Sequence, residues 1–470
     1  SSGRFHTDWL NMMYPRLRLA RNLLADDGVI FISIDDNEQG NLKKICDEIF
    51  GEGNFVSQIV WQKKYAPQND AKYFSTSHDY ILIYARSIER FSRNLLPRSK
   101  EQLARYKNID NDPRGPWQSD NFTVATYSAS YDYPITLPSG RTINPTPGRC
   151  WRTSYENYKK LVADNRISFG LDGDNVPRIK RFLSEVQDGS VPETLWLYKD
   201  VGHNQGAATS LKNLMDGKKY FDYPKPVTLI EFMAKIASSR DSLILDFFAG
   251  SATTAHAVMQ LNAEDGGNRK HIMVQLPEPT DEKSEAFKAG YKKISDIARE
   301  RINRAGEKIK ADFADKLAER ETPLDVGYRT YKLADTNFTK WQSTPTGDLT
   351  ELQARLDLMR ESSNDNASED DLLVEVLLKM GLPLTTRTKT VDVDGLHVYQ
   401  VVVEGDLSEG QPVLYLNEHV KPTLEQLRAI ITDLTPSKFV ILDDAFQGDN
   451  QLKTNLVQTC KSYDVELWTV

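Results

Sequence analysis

The stretch DSLILDFFAGSATT at residues 241–254 decides the fold. Its first half is short and apolar, which is typical of a buried β-strand. The small residues AGSA that follow predict a turn whose backbone a ligand can approach closely, and TTAHAVMQLN continues as a helix with unpaired first amides. Together these features are compatible with a nucleotide-like ligand at the turn. Because the G-x-G-x-x-G fingerprint is absent, an ordinary strand–turn–helix remains the alternative on these residues alone.

The flanking segments extend this pattern in both directions. KPVTLIEFMAKIAS (225–238) predicts a helix that leads into the strand, and RKHIMVQLPE (269–278) predicts a second parallel strand that ends beside the same ligand. Gln275 and Glu278 are then placed to contact ribose hydroxyls, although a solvated loop acid is the alternative for Glu278. Further upstream, GVIFISIDD, FVSQIVWQK and DYILIYAR predict strands alternating with helices, so we expect a twisted, mostly parallel α/β sheet.

The remainder of the chain divides by composition. We expect residues 1–90 and 196–310 to form one domain, because each holds only part of a sheet. Residues 91–195 are rich in Asn, Pro, Gly, Tyr and Arg and predict an inserted recognition region, with an irregular structural insert as the alternative. Residues 311–371 are expected to be a connector, and 372–470 a separate C-terminal α/β domain.

Charge is distributed unevenly over these segments. The 470 residues carry a net charge of −8, yet residues 61–185 contain 20 basic and 13 acidic residues. Residues 311–470 contain 15 basic and 28 acidic residues. A basic middle and an acidic end suggest different partners, although chance variation between domains explains the same counts.

Composition excludes several classes of protein. The three cysteines, Cys46, Cys150 and Cys460, match neither a disulfide framework nor a metal-ligand spacing, so no metal is expected. No apolar run approaches the ~20 residues that span a bilayer, and the first residues have no signal-peptide core. We therefore expect a cytoplasmic protein without a membrane partner.

Several segments together resemble the modification subunits of type III restriction-modification systems, a group of beta-class adenine-N6 DNA methyltransferases. They include the run from KPVTLIEFMAKIAS to RKHIMVQLPEPT, the N-terminal HTDWLNMMYPRLRLARNLLADDGVIFISIDD, WQKKYAPQNDAKYFSTSHDYILIYAR and DVGYRTYKLADTNFTKW. The resemblance covers nearly the whole chain. In that class the cofactor motif is D-P-F-x-G-S-G-T; here Phe247 stands for the proline and Ala252 for the second glycine.

The resemblance implies a Rossmann-like S-adenosylmethionine-dependent methyltransferase sheet acting on double-stranded DNA, with a helicase-nuclease restriction subunit as partner and a homodimer as the assembly. The implied cofactor-binding residues are Lys225, Pro226, Asp246, Phe247, Phe248, Ala249, Gly250, Ser251, Thr253, Gln275 and Glu278. The implied contacts to the target base and the DNA are Tyr65, Tyr73, Phe74, His78, Arg98, Arg105, Arg114, Arg141, Arg149 and Arg152. A base must leave the duplex to react, so Tyr73 or Phe74 is the stacking candidate unless these aromatics are core residues.

The family's catalytic motif, an acid or Asn followed by Pro-Pro and an aromatic, is absent, because no Pro-Pro pair occurs in the chain. The resemblance places it upstream of Ser1, so the catalytic residues are unknown here. Three other interpretations remain open: a stand-alone methyltransferase, a DNA-reading module without catalysis and, least favoured, a Rossmann-type oxidoreductase.

Overall fold

The computed structural model describes residues 6–338, 367–402 and 410–470, in two compact units, Ser1–Gly327 and Tyr328–Val470. The predicted α/β class is confirmed. The helices are α1 (Thr7–Leu23), α2 (Gln39–Phe50), α3 (Lys100–Leu103), α4 (Tyr155–Ala163), α5 (Tyr198–Val201), α6 (Asn204–Leu214), α7 (Val227–Ala237), α8 (Thr253–Asp265), α9 (Glu285–Lys288), α10 (Ile294–Asp312), α11 (Ala314–Ala318), α12 (Glu369–Lys379), α13 (Leu424–Leu434) and α14 (Asn450–Ser462).

The strands are β1 (Val29–Ile34), β2 (Phe55–Gln62), β3 (His78–Ala85), β4 (Trp117–Asn121), β5 (Thr123–Val124), β6 (Ile135–Thr136), β7 (Thr142–Ile143), β8 (Cys150–Trp151), β9 (Ile167–Ser168), β10 (Arg178–Phe182), β11 (Leu195–Trp196), β12 (Leu243–Asp246), β13 (Lys270–Met273), β14 (Arg387–Val393), β15 (Leu396–Val402), β16 (Val413–Tyr415), β17 (Lys438–Ile441) and β18 (Glu466–Thr469). Among the described residues, no helix is long and apolar enough to cross a membrane.

The first sheet has the strand order β1-β3-β2-β11. Strand β3 pairs antiparallel with both β1 and β2, and only the short β11 pairs parallel with β2. The expectation of a mostly parallel sheet is therefore wrong for these strands. The reason is that β2 and β3 are joined by a loop without a helix, whereas parallel neighbours need a crossover connection.

Helices cover both faces of this sheet. Successive residues of β3 point to opposite faces, so Ile81 and Ile83 pack with α5 and α7, while Leu82 and Tyr84 pack with α1 and α2. Strands from residues 1–90 thus share one hydrophobic core with helices from beyond residue 196. Helix α7 belongs to this core and also packs against α8.

The second sheet of this unit consists of the parallel strands β12 and β13. The chain leaves β12 at Asp246, passes through a tight loop and enters α8, which lies against α7, α10 and β13. Helix α8 is buried almost all round, from Thr253 to Ala263. A helix held on several sides fixes the loop at its N-terminus in space.

The insert between β3 and β11 is built of short strands and has a core of its own. Its strands form one three-stranded sheet, β4-β10-β9, and two two-stranded ladders. Large aromatic and aliphatic side chains fill the centre, among them Phe122, Trp151 and Tyr158. The insert is therefore folded around its own core, and it is built of the short strands that its composition predicted.

The C-terminal unit carries a five-stranded sheet of order β14-β15-β16-β17-β18. Strands β16, β17 and β18 are parallel and alternate with α13 and α14, and their side chains form a large core. Strand β14 was not predicted, although Asp394-Gly395, at φ 51° and 83°, forms the two-residue turn of a hairpin with β15. Residues 339–366, the middle part of the expected connector, lie outside the described residues.

Candidate functional site

The loop between β12 and α8 is organised by the carboxylate of Asp246. Oδ1 accepts a hydrogen bond from the Phe248 amide at 3.0 Å, and Oδ2 accepts one from the Thr254 hydroxyl at 2.6 Å. The carboxylate therefore joins the end of the strand to the first turn of the helix. Hydrogen bonds to a charged group are stronger than neutral ones, so Asp246 fixes the loop rather than lying free for a ligand.

Strand β13 holds the other side of the loop. The Ala249 amide donates to the Val274 carbonyl at 3.1 Å, and the Gly250 amide donates to Oε1 of Gln275 at 2.7 Å. One lone pair of the Gln275 side-chain oxygen is thus engaged by the loop, and its second lone pair and the amide nitrogen are left to meet a ligand. The two parallel strands end at the same edge and support one loop between them, as predicted from the sequence.

Two residues of the loop have left-handed backbones. Gly250 has φ 52°, and Ala252, which caps α8, has φ 59° and makes no side-chain cap hydrogen bond. The first amides of α8 have no intrahelical acceptor, which makes this helix start a site for a polar or anionic group. The side chains at Ala249, Gly250 and Ala252 are small, but Ala249 and Ala252 are buried, so among these three only the half-buried Gly250 leaves its backbone open at the surface. This arrangement suits a ligand that is held largely by backbone amides.

A buried arginine supports the loop from behind. Nη1 of Arg301, on α10, donates to the Ser251 hydroxyl at 2.8 Å and to the Thr253 hydroxyl at 2.7 Å. The side chains of Ser251 and Thr253 are consequently turned into the protein, so a ligand meets these residues through their backbones. Sequence analysis missed Arg301, because it lies about fifty positions away on an amphipathic helix.

The other predicted cofactor residues differ in exposure and in their contacts. Phe248 is 51% exposed, and its ring centroid lies 5.3 Å from that of Phe247. Pro226 is buried at the start of α7. Glu278 is exposed, and its backbone accepts a hydrogen bond from Ile294 while no contact of its carboxylate is seen among the described residues.

Lys225 lies beside the strand that carries the predicted base-side residues. Its Nζ is 3.7 Å from Oδ2 of Asp79 and 4.8 Å from the ring centroid of Trp61. The other carboxylate oxygen of Asp79 accepts a hydrogen bond from Nζ of Lys63 at 2.5 Å. Desolvation lowers the pKa of Lys225, with Asp79 opposing that shift. The cluster connects the segment before α7 to β3, and neither Lys63 nor Asp79 was singled out from the sequence.

The predicted base-side aromatics fall into two groups. Tyr73 and Phe74 are 81% and 93% exposed in the loop between β2 and β3, so they are not core residues. Tyr65, in contrast, lies 5.3 Å from the His203 ring and borders an open cleft of about 500 Å³. The ring of His78 is engaged by the Tyr80 hydroxyl at 3.1 Å.

The six predicted DNA-contacting arginines also divide in two. Arg98 donates to the Gln187 carbonyl, and Arg114, Arg141 and Arg152 pair with the carboxylates of Asp112, Asp174 and Asp120. Arg105 and Arg149 are exposed, and their guanidinium groups make no contact in the described part of the chain. Only these two are free to meet a phosphate or a base without first breaking an internal interaction.

Comparison with known proteins gives relatives along the whole chain. A modification subunit of the StyLTI type III restriction-modification enzyme from Salmonella typhimurium is 41% identical over 70% of this chain and 49% of its own length. The EcoP15I modification subunit from Escherichia coli is 30% identical, covering 97% of this chain and 71% of its own length. The chain thus spans about half the length of the first relative. The type II methyltransferase M.KpnI from Klebsiella pneumoniae is 30% identical over 67% of this chain.

Among solved structures, a putative DNA modification methylase from Thermus thermophilus, complexed with S-adenosyl-L-methionine, matches with a TM-score of 0.27 and 14% identity, over 63% of this chain and 78% of that chain. Likeness at that level supports no argument. A family model described as DNA methylase matches residues 2–294. With the relatives above, this confirms the resemblance seen in the sequence: the chain belongs to the N6/N4 DNA methylase family, among the modification subunits of type III restriction-modification enzymes.

Proposed function

We propose that the protein is a site-specific DNA methyltransferase that transfers a methyl group from S-adenosylmethionine to the N6 amine of an adenine, as the modification subunit of a type III restriction-modification system. The observation that carries this proposal is the similarity to the EcoPI and EcoP15I modification subunits over 97% of the chain, which includes the C-terminal unit. The resemblance to M.KpnI, at 67% of the chain, favours a stand-alone methyltransferase as the second candidate.

The loop at residues 246–254 fits the cofactor in its chemistry. S-adenosylmethionine supplies an activated methyl group, and the protein must position that group against the amine. Asp246 and Gln275 hold the loop, Phe248 offers an exposed apolar surface, and we assign the first amides of α8, which lack intrahelical acceptors, to the cofactor's polar groups. We assign Lys225, Pro226 and Glu278 to the surroundings of this site.

The amine of adenine is a weak nucleophile, because its lone pair is delocalised into the ring. We propose that the missing acceptor groups belong to an acid-Pro-Pro-aromatic motif encoded before residue 1. The exposed apolar side chains of β13 and of the residues that follow it support this proposal. Ile272, Val274 and Leu276 alternate along the chain and therefore lie on one face. They are 46%, 48% and 54% exposed, and no described residue covers them. A segment carrying the motif is the occupant we assign to it.

DNA binding is assigned to the insert and to the loop between β2 and β3. Arg105 and Arg149 supply free positive charge, and Tyr73 or Phe74 supplies a stacking surface for an adenine turned out of the duplex. For the acidic C-terminal unit we propose docking of the restriction subunit or dimerisation in the cytoplasm.

The test is to express the polypeptide from its natural start, alone and with its restriction partner, and to incubate it with plasmid DNA and labelled S-adenosylmethionine. Nucleoside mass spectrometry should detect N6-methyladenine at one sequence context. N4-methylcytosine would contradict the adenine assignment. DNA binding without methylation or cofactor binding would favour a DNA-reading module, and methylation unaffected by deletion of residues 328–470, with no partner bound, would favour the stand-alone enzyme.

A further inference from the structure

The interaction between Arg301 and the cofactor loop is unusual in its electrostatics. Arg301 is 2% exposed, and burial lowers its pKa to about 10, so the side chain remains a cation at neutral pH. Among the described residues no carboxylate pairs with it; its acceptors are the Ser251 and Thr253 hydroxyls and, at 3.5 Å, the Ser251 carbonyl. A buried cation without an anionic partner is expensive, because its hydration is replaced only by neutral dipoles.

Its position makes the cost larger. The acceptors of Arg301 flank the residue that caps α8, where the helix dipole is positive and favours anions over cations. His256, one turn further along α8, is buried, and desolvation together with the charge of Arg301 lowers the pKa of His256 to about 3. The imidazole therefore stays neutral. Stability alone does not account for a cation at this place.

The opposite end of α8 provides a direct contrast. There the buried Arg269 forms an ion pair with the Asp265 carboxylate at 2.9 Å, and its Nη1 donates to Oδ1 of Asn262 at 3.4 Å. That arginine has the anionic partner expected of a buried ion, and it is remote in sequence from the loop at residues 246–252. The two ends of one helix are thus each held by a buried arginine, but among the described residues only the arginine at the loop end lacks an anion.

The geometry points to Arg301 as a positioning residue for cofactor binding, an inference that rests on the proposed function. By donating to both hydroxyls, Arg301 fixes the backbone on either side of Ala252, whose left-handed conformation determines where the first amides of α8 point. Its uncompensated charge adds to the positive potential of that helix start, and the carboxylate of the cofactor's methionine moiety is the anion that this potential favours. On this inference Arg301 acts through Ser251 and Thr253 and does not itself bind the cofactor.

The experiment compares Arg301→Met with Arg269→Met in the full chain, measuring the Kd of S-adenosylmethionine by calorimetry and thermal unfolding in parallel. Arg269→Met should lower Tm, because it leaves the Asp265 carboxylate without its partner, whereas Arg301→Met removes hydrogen bonds together with an unpaired buried charge and should change Tm less. Arg301→Met should raise the Kd at least tenfold, and Arg269→Met should leave it within about twofold. Arg301→Lys, which keeps the charge and one donor, should recover part of the affinity.

Ser251→Ala and Thr253→Val remove the acceptors singly, and each should raise the Kd by a smaller factor; they also replace Arg301→Met if that variant does not fold. Equal changes in Kd for Arg301→Met and Arg269→Met, or an unchanged Kd in the Arg301 and acceptor variants, would overturn the inference. Absence of cofactor binding in the unsubstituted protein would instead overturn the proposed function, and the inference with it.

Discussion

Replacing Glu231 by Gln should stabilise the protein in a manner that depends on pH. Glu231 lies on α7, is 5% exposed, and its Oε1 has no hydrogen-bond partner among the described residues. Desolvation, with a smaller contribution from Glu264, raises the pKa of its carboxyl to about 7 from the ordinary 4.5. Between these two values the folded state binds one proton more than the unfolded state, so the free energy of unfolding falls as pH rises.

The size of the effect follows from the pKa difference. A shift of roughly 2.5 units corresponds to about 3 kcal/mol, fully expressed only above pH 7. Glutamine is neutral at every pH, so Glu231→Gln should be close to neutral at pH 5 and should raise the free energy of unfolding by up to about 3 kcal/mol at pH 8. Below pH 6.5 His256 has the opposite effect on the free energy of unfolding, which falls as the pH falls. The reason is that the pKa of His256 is lowered in the folded state, so only the unfolded state takes up the proton.

Both Glu231 and His256 affect how the free energy of unfolding of the unsubstituted protein depends on pH. The informative quantity is therefore the difference in free energy of unfolding between Glu231→Gln and the unsubstituted protein at each pH. Urea unfolding at pH 5, 6, 7 and 8 measures it, and Glu282→Gln, at an exposed position, serves as the control. A difference that is the same at pH 5 and pH 8 would refute the reasoning, since it would mean that Glu231 does not titrate in this range in the folded protein.

Two further predictions concern ligands. Gly250→Ala should cost about 1 kcal/mol of stability, because φ 52° disfavours a side chain, and should weaken cofactor binding at least tenfold in calorimetry; an unchanged Kd would show that the ligand does not approach this backbone. Arg149→Ala should weaken DNA binding and reduce the slope of log K against log salt by about 1, whereas Arg141→Ala, which breaks a pair with Asp174, should change that slope less; similar slopes for both variants in fluorescence anisotropy would contradict the assignment.

The parts of the site that the sequence predicts correctly are those built from local interactions. The strand, turn and helix at residues 243–265 follow from apolar runs and small residues, and Asp246 bonds to groups within eight positions of itself. Strand β13 follows one helix later, so its pairing with β12 was accessible to the same reasoning. The strand, loop and helix at residues 243–265 were therefore predicted from residues that lie close together in the chain, and cofactor binding at the loop stays a prediction.

Interactions between distant residues account for what was missed. Nothing local distinguishes Arg149 from Arg141, whose partner Asp174 lies 33 positions away. Likewise Arg301 is one more cation on an amphipathic helix until the fold places it under Thr253. The antiparallel sheet was missed for a different reason, because apolar periodicity predicts that a strand exists and says little about its direction.

The comparison of Arg269 with Arg301 suggests how stability and binding are separated along one helix. A buried ion with its counterion, as at Arg269 and Asp265, is satisfied in the folded protein without any ligand. A buried ion with only neutral acceptors, as at Arg301, leaves positive potential at the start of α8, which an anionic ligand group reduces. The free energy that the fold loses at that end is consequently recovered in part on binding, so cofactor affinity and the stability of the free protein should respond in opposite directions to an anion introduced beside Arg301.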